Sequence, residues 1–188
     1  MPVSAVILTS KTRQVPGRSL FVGSNVNHNI TGLKWFLENV WPIVLKKSPR
    51  STLHVCGTVC DAIQGEFEKV CFLGQVNDLT PEYGAAKICL APLLVGSGLK
   101  IKLVEALAHQ RACVSTSSGI QGLNELKGKA IIVADTAENF AESICSILMH
   151  HYKRLSMEAH ARKYVEEKLN PAAVYQPFVD RIRKRLHL

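Results

Sequence analysis

The chain has 188 residues, 47% of them hydrophobic and 20% charged, with a formal net charge of +8 and a pI near 9.3. That is the size and balance of one globular domain with a sizeable core, and the basic charge points to an anionic partner. Only 6% of residues are aromatic, and no aromatic-plus-basic ladder suits single-stranded nucleic acid, so no nucleic-acid partner is expected.

Met1–Arg18 has weak periodicity and contains Lys11-Thr-Arg-Gln-Val-Pro-Gly17, which reads as a linker. Ala5–Leu8 is too short for a signal segment or a membrane span. Ser19–Val22 is a first strand, ending at Gly23-Ser24-Asn25. Asn29 or Thr31 could cap a helix running to about Lys47, and Trp41-Pro42 inside it predicts a kink. Thr52–Cys56 and Val70–Leu73 are the next strands, stopped by Gly57 and Gly74. Leu79–Ala86 is a short helix, and Ile88–Ala91 a fourth strand. Ala112–Ser115 and Ile131–Ala134 are the fifth and sixth. Asp135-Thr-Ala-Glu138 has capping-box spacing and opens a helix to about Met149. Helical patterns over about 153–169 and 172–186 complete the chain. Strands separated by helices predict an α/β fold: a Rossmann-like, doubly wound parallel sheet of about six strands with helices on both faces. Ligands of such sheets bind beyond the carboxyl ends of the strands, so the loops after strands one, three, four and five are expected to share one rim.

The six cysteines do not resemble a disulfide framework. Cys71, Cys89 and Cys113 lie in or beside strands, where reduced cysteine packs as a small hydrophobe. Cys56-Gly-Thr-Val-Cys60 lacks a second Cys/His pair to complete a zinc site, and a reducing cytoplasm is the natural compartment. His150-His151 cannot share a helix face and reads as a solvated helix end. Ser115–Ser118 form no nucleophile elbow.

The most informative stretch is Ile88–His109. It reads as a buried strand, a glycine turn at Gly96-Ser97-Gly98, and a helix whose first turn carries Lys100 and Lys102. Helix starts present free N–H groups and a positive dipole end, a seat for phosphate. At roughly 100° per residue, Gly98, Lys102, Glu105 and His109 share one polar stripe on an otherwise apolar helix. A carboxylate beside a phosphate seat can bind a ribose diol, which makes this a nucleotide site. The plainer alternative is a surface Lys102–Glu105 pair. For His109 the plain alternative is capping of the last helical carbonyls.

From Ser19 to about Pro177 the chain resembles the C-terminal, donor-binding half of a GT-B-fold glycosyltransferase of family 4, the group 1 glycosyl transferases. The resemblance rests on Phe21-Val-Gly-Ser-Asn, Trp35-Phe-Leu-Glu-Asn-Val-Trp-Pro42, Phe72-Leu-Gly-Gln-Val-Asn-Asp-Leu79, Ala91-Pro-Leu and Gly96-Ser-Gly-Leu-Lys-Ile-Lys-Leu-Val-Glu-Ala-Leu-Ala108. Val114-Ser-Thr, Gly119-Ile-Gln-Gly-Leu123 and Ile132-Val-Ala-Asp135 also contribute. It implies that Glu105 holds the donor ribose, as the second glutamate of the E-x7-E motif. It implies that Gly98 and Leu99 meet the diphosphate, that Lys100 or Lys102 neutralises it, that Gln75 and Val76 flank the base, and that Gly23, Ser24 and Asn25 line the interdomain cleft. Two departures stand out. Ser97 occupies the place of the first glutamate, and the turn after the first strand has no arginine or lysine, which shifts the phosphate charge onto Lys100 and Lys102.

The implied organisation is a linker or extension over 1–18, a nucleotide-sugar-binding domain over 19–170 and a helical tail over 171–188. The implied function is donor binding for a retaining, metal-independent transferase that uses a nucleotide diphosphate sugar and no other cofactor. The N-terminal acceptor domain of such an enzyme is missing here, so the chain reads as an inactive fragment or as one that works with a separate partner chain. It is expected to be cytoplasmic, with peripheral contact to a membrane an option for the basic tail. A non-catalytic Rossmann-like nucleotide-binding module is the alternative. A dinucleotide dehydrogenase is disfavoured because Ile101 stands where the glycine fingerprint needs a third glycine.

Overall fold

A computed structural model describes residues 3–96 and 98–186, the side chain of Leu186 excepted. Six parallel strands form one sheet: β1 (Arg18–Val22), β2 (Thr52–Cys56), β3 (Val70–Gly74), β4 (Ile88–Ala91), β5 (Ala112–Ser115) and β6 (Ile131–Val133), in the order β3-β2-β1-β4-β5-β6. β4 and β5 are buried at every position because both faces are covered there, whereas edge strand β3 is only partly buried. Phe21, Val55, Ile88, Leu90 and Val114 point into one core, while Leu20, Cys56, Cys89, Ala91 and Cys113 point into the other. Register pairs such as Phe21 with Val55 and Leu90 with Val114 keep like faces together.

The first core is covered by α1 (Asn27–Trp35), α2 (Trp41–Lys47) and α5 (Ala137–Met149). The second is covered by α3 (Thr80–Ala85), α4 (Ile101–Ala108) and the C-terminal end of α6 (His151–Tyr164). α7 (Pro171–Leu186) follows, with Tyr175, Phe178 and Ile182 exposed. Residues 3–17 form neither helix nor strand. Their backbone nevertheless bonds to the domain at Leu169, Ala108 and Ala85, and Val3, Ala5 and Ile7 pack on the second core.

Three local expectations are corrected. The first helix is not capped by Asn29 or Thr31. It begins at Asn27, with Val26 as an N-cap that makes no side-chain bond, and Asn29 is buried in the interior instead. The kink at Trp41-Pro42 is a widened turn over Phe36–Val40, in which the Trp41 N–H reaches back five residues to the Phe36 carbonyl. Pro42 has no N–H and its ring crowds the carbonyl four residues back, so the wider turn relieves both conflicts. The cap of α5 is Thr136, whose hydroxyl accepts from the Asn139 N–H at 3.3 Å. Asp135 is drawn off to Ser117, accepting from its N–H at 2.7 Å and its hydroxyl at 2.6 Å.

Gly32 fixes how closely α1 approaches the loop after β4. A Cβ at this position would collide with the Pro92 carbonyl oxygen. Gly32→Ala should therefore destabilise the fold by about 1–3 kcal/mol, the usual cost of overpacking, although alanine is the better helix former. Urea denaturation checks this, and a gain in stability would show that the contact yields freely.

Candidate functional site

The sheet order reverses between β1 and β4. β1 leads into α1 on one face and β4 leads into α4 on the other, so the loops beyond these two strands part and leave a crevice. A cleft of about 810 Å³ occupies it. Gly23 and Ser24 line it from the loop after β1, His28 and Asn29 from the first turn of α1, and Gln75 from the end of β3. Leu99, Lys100, Lys102 and Glu105 line it from α4 and its approach.

Most of the residues singled out in the sequence are thus brought together. Asn25, Val76 and Gly98 lie in the flanking loops and do not line the cleft, and Ser97 lies outside the described residues. The expected rim needs two corrections. The loop after β5 is not part of it: Ser115 and Thr116 are buried, and their hydroxyls donate to the Ala91 and Leu93 carbonyls, bracing the β4 loop from behind. The loop after β2 contributes instead, through Gly57 and Thr58, and the Thr58 hydroxyl accepts from the Asn25 N–H at 2.9 Å. His28 and Thr58 gave no sequence signal of their own, and Asn29 signalled only a helix cap. A polar residue in a first helical turn most often faces water, and only the reversal at β1 turns these inward.

The cleft is electrostatically uneven. Lys100 precedes the first turn of α4 and is buried. Gly96 makes room for it, since a Cβ there would sit 3.2 Å from the Lys100 Nζ. Lys102 does not pair with Glu105, contrary to the plainer expectation. Its Nζ donates to Asn29 Oδ1 at 2.6 Å and lies 4.4 Å from the centre of the Phe21 ring. Asn29 is held in turn by donating to the Ser24 carbonyl at 2.9 Å. Burial pushes the Lys102 ammonium down to about 7, Lys100 adds to the effect, and Glu105 opposes it. His28 is also lowered, by burial and by the same two lysines. The site is thus short of negative charge, and an anion entering it would relieve the repulsion.

Glu105 lines the same cleft and accepts from the Tyr83 hydroxyl at 3.0 Å. His109 closes α4, but its ring does not cap carbonyls. It stacks on Tyr83 with centroids 4.6 Å apart, and burial lowers it to about 4, helped by Arg111 and opposed by Asp78.

Residues 16–150 match the family described as glycosyl transferases group 1. The chain belongs to this family. It is 26% identical over 168 residues to an uncharacterized 44.6 kDa protein in the cps region of Klebsiella pneumoniae, a match over 83% of this chain and 43% of that protein. The chain therefore spans less than half the length of that curated relative. Among solved structures, the C-terminal domain of a group 1 glycosyl transferase (LpcC) from Francisella tularensis superposes with a TM-score of 0.70 at 17% identity, covering 88% of this chain and 97% of that one. A mutant of S. aureus TarM, crystallised with fondaparinux, alpha-GlcNAc-glycerol and UDP, superposes with a TM-score of 0.76 at 14% identity, covering 95% and 38%. At these identities the likeness establishes the fold, that of the C-terminal half of a GT-B transferase.

The Lys102 placement has a consequence for stability. Between about pH 7 and about 10 the unfolded chain keeps a proton that the folded chain has largely released. Stability should therefore rise with pH across that window. Lys102→Met, which keeps the apolar stem, should flatten the rise relative to the parent. Denaturant midpoints at three pH values would measure it, and parallel curves would show that the ammonium is not desolvated in the folded protein.

Proposed function

We propose that the cleft binds a nucleoside diphosphate sugar as the donor of a retaining glycosyl transfer. The observation that carries this reading is the convergence, at the reversal of the sheet, of a helix start flanked by two lysines with a carboxylate one turn further on. Diphosphate would seat against the first free N–H groups of α4, where the dipole and Lys100 and Lys102 meet its charge. The Glu105 carboxylate would accept from the ribose diol. Gln75, with Val76 beside it, would border the base. Gly23 and Ser24 would form the wall towards the acceptor.

In such a transfer the chemical demand on this half is to stabilise the departing diphosphate. Preorganised amides and ammonium groups do that without reorganising at the moment of reaction. The two lysines and the helix start supply this charge without calling on a metal. The turn after β1 has no cation, but Lys102 reaches across to Asn29 at the head of α1 and brings one to that side of the cleft. An approaching diphosphate would favour the protonated lysine, so binding takes up a proton above neutral pH. No general base need come from this half. The acceptor would come from a further domain or a partner chain, and turnover would require both halves to close on the two substrates.

Glu105→Gln should weaken UDP binding by about 1–3 kcal/mol, the range for losing a hydrogen bond to a charged group, while the fold survives. Calorimetry with the purified chain measures this, and unchanged affinity would remove Glu105 from the site. Lys100→Ala combined with Lys102→Ala should cost UDP far more than uridine, and the difference should shrink as salt rises. Equal losses for the two ligands would place the phosphates elsewhere.

A further inference from the structure

Lys102 and Glu105 stand three residues apart on α4, the spacing at which opposite charges on a helix ordinarily pair. A partly desolvated cleft strengthens such an attraction. Yet the two side chains turn away from each other. Lys102 is drawn to the opposite wall by Asn29, itself anchored by its bond to the Ser24 carbonyl. Glu105 is drawn the other way by the Tyr83 hydroxyl. Tyr83 is a rigid anchor: it is 2% exposed, and its ring lies 10° from parallel to His109. The His109 backbone N–H in turn donates to the Glu105 carbonyl at 3.0 Å, which ties the stack to the turn that bears the carboxylate.

We propose that Tyr83 and Asn29 are positioning residues that hold the carboxylate and the ammonium of α4 apart, so that each can meet its own part of a nucleoside diphosphate. Without these two latches the pair would close on itself, and the cleft would lose its anchor for the diol and its charge for the phosphates together. With Tyr83 on Glu105 Oε2, the other oxygen is left to meet a ligand. Burial pushes the Tyr83 phenol well above its usual range, and Glu105 reinforces the effect, so the hydroxyl remains a donor throughout the working pH range. The groups facing Lys102 are Lys100 and Glu105 from its own segment, Asn29 and His28 from α1, and the Phe21 ring from β1. Of these, Glu105 is the carboxylate to which a released Lys102 would turn.

The separation of charge does not itself depend on the proposed donor; the roles given to diol and phosphate do. The test is an NMR titration of the Lys102 side chain in the ligand-free chain. The parent should show a midpoint near about 7. Tyr83→Phe keeps the ring and the stack and removes only the hydroxyl. It should let Glu105 swing to Lys102 and raise the midpoint by about one to three pH units, the effect of an opposite charge brought into contact. Asn29→Ser should raise it too, by releasing the other latch. Adding Glu105→Gln to Tyr83→Phe should abolish the rise. UDP affinity should fall roughly ten- to a hundredfold in Tyr83→Phe, with a smaller loss for 2′,3′-dideoxy-UDP. A purely structural role for Tyr83 would lower the melting temperature and leave the Lys102 midpoint in place. An unmoved midpoint in both Tyr83→Phe and Asn29→Ser overturns the proposal, even if UDP binds the parent. A raised midpoint in a chain whose parent form ignores both UDP and GDP upholds the latches and overturns the donor reading.

Discussion

The site depends on one topological constraint, the reversal of strand order between β1 and β4. Neighbouring parallel strands whose helices leave on the same face have their carboxyl ends roofed over. Here α1 packs on one core and α4 on the other, so the two chain segments separate as they leave the sheet. The starts of both helices then face one crevice. That brings Asn29 to within hydrogen-bonding distance of Lys102, 73 residues away in the chain. The close approach at Gly32 and the buried hydroxyls of Ser115 and Thr116 serve the same geometry, since they hold the β4 loop against α1 and against β5.

Within that frame the cleft stores unfavourable electrostatics. Two lysines stand close together near a helix start, and one of them is desolvated enough to surrender its proton near neutrality. The Glu105 carboxylate is bonded to Tyr83 and not to Lys102. An arrangement of this kind costs the folded chain stability, and a bound anion removes the cost. Natural folds tolerate such strain at functional sites more readily than elsewhere, and the rest of the domain shows the contrast. Glu158, for instance, lies 3.8 Å from Arg111 and 3.7 Å from Arg154 and accepts from Gln14, so that there opposite charges meet.

The domain carries its terminal segments in different ways. Residues 3–17 lie along α4 and α3 through single backbone bonds, with an apolar strip of Val3, Ala5 and Ile7 beneath. α7 instead projects its apolar residues outward beside Arg181, Arg183, Lys184 and Arg185. No described helix is long and apolar enough to cross a membrane.

How much of this was legible beforehand follows from the range of the interactions involved. The strands could be read because each carries a short run of mostly apolar residues stopped by a glycine or polar turn. α4 could be read as a candidate site because a glycine turn, helix-start lysines and a glutamate one turn on are all encoded within a dozen residues. Cap choice was already less legible. The capping-box spacing favoured Asp135, and only Ser117, brought alongside by β5 and β6, takes it away and leaves the cap to Thr136. The strand order, the absence of the β5 loop from the rim and the inward turn of His28 and Asn29 had no local signal at all. Above all, sequence spacing placed Lys102 and Glu105 together as natural partners. The tertiary structure separates them, because buried Asn29 and Tyr83, 73 and 22 residues away in the chain, each bond to one of the two.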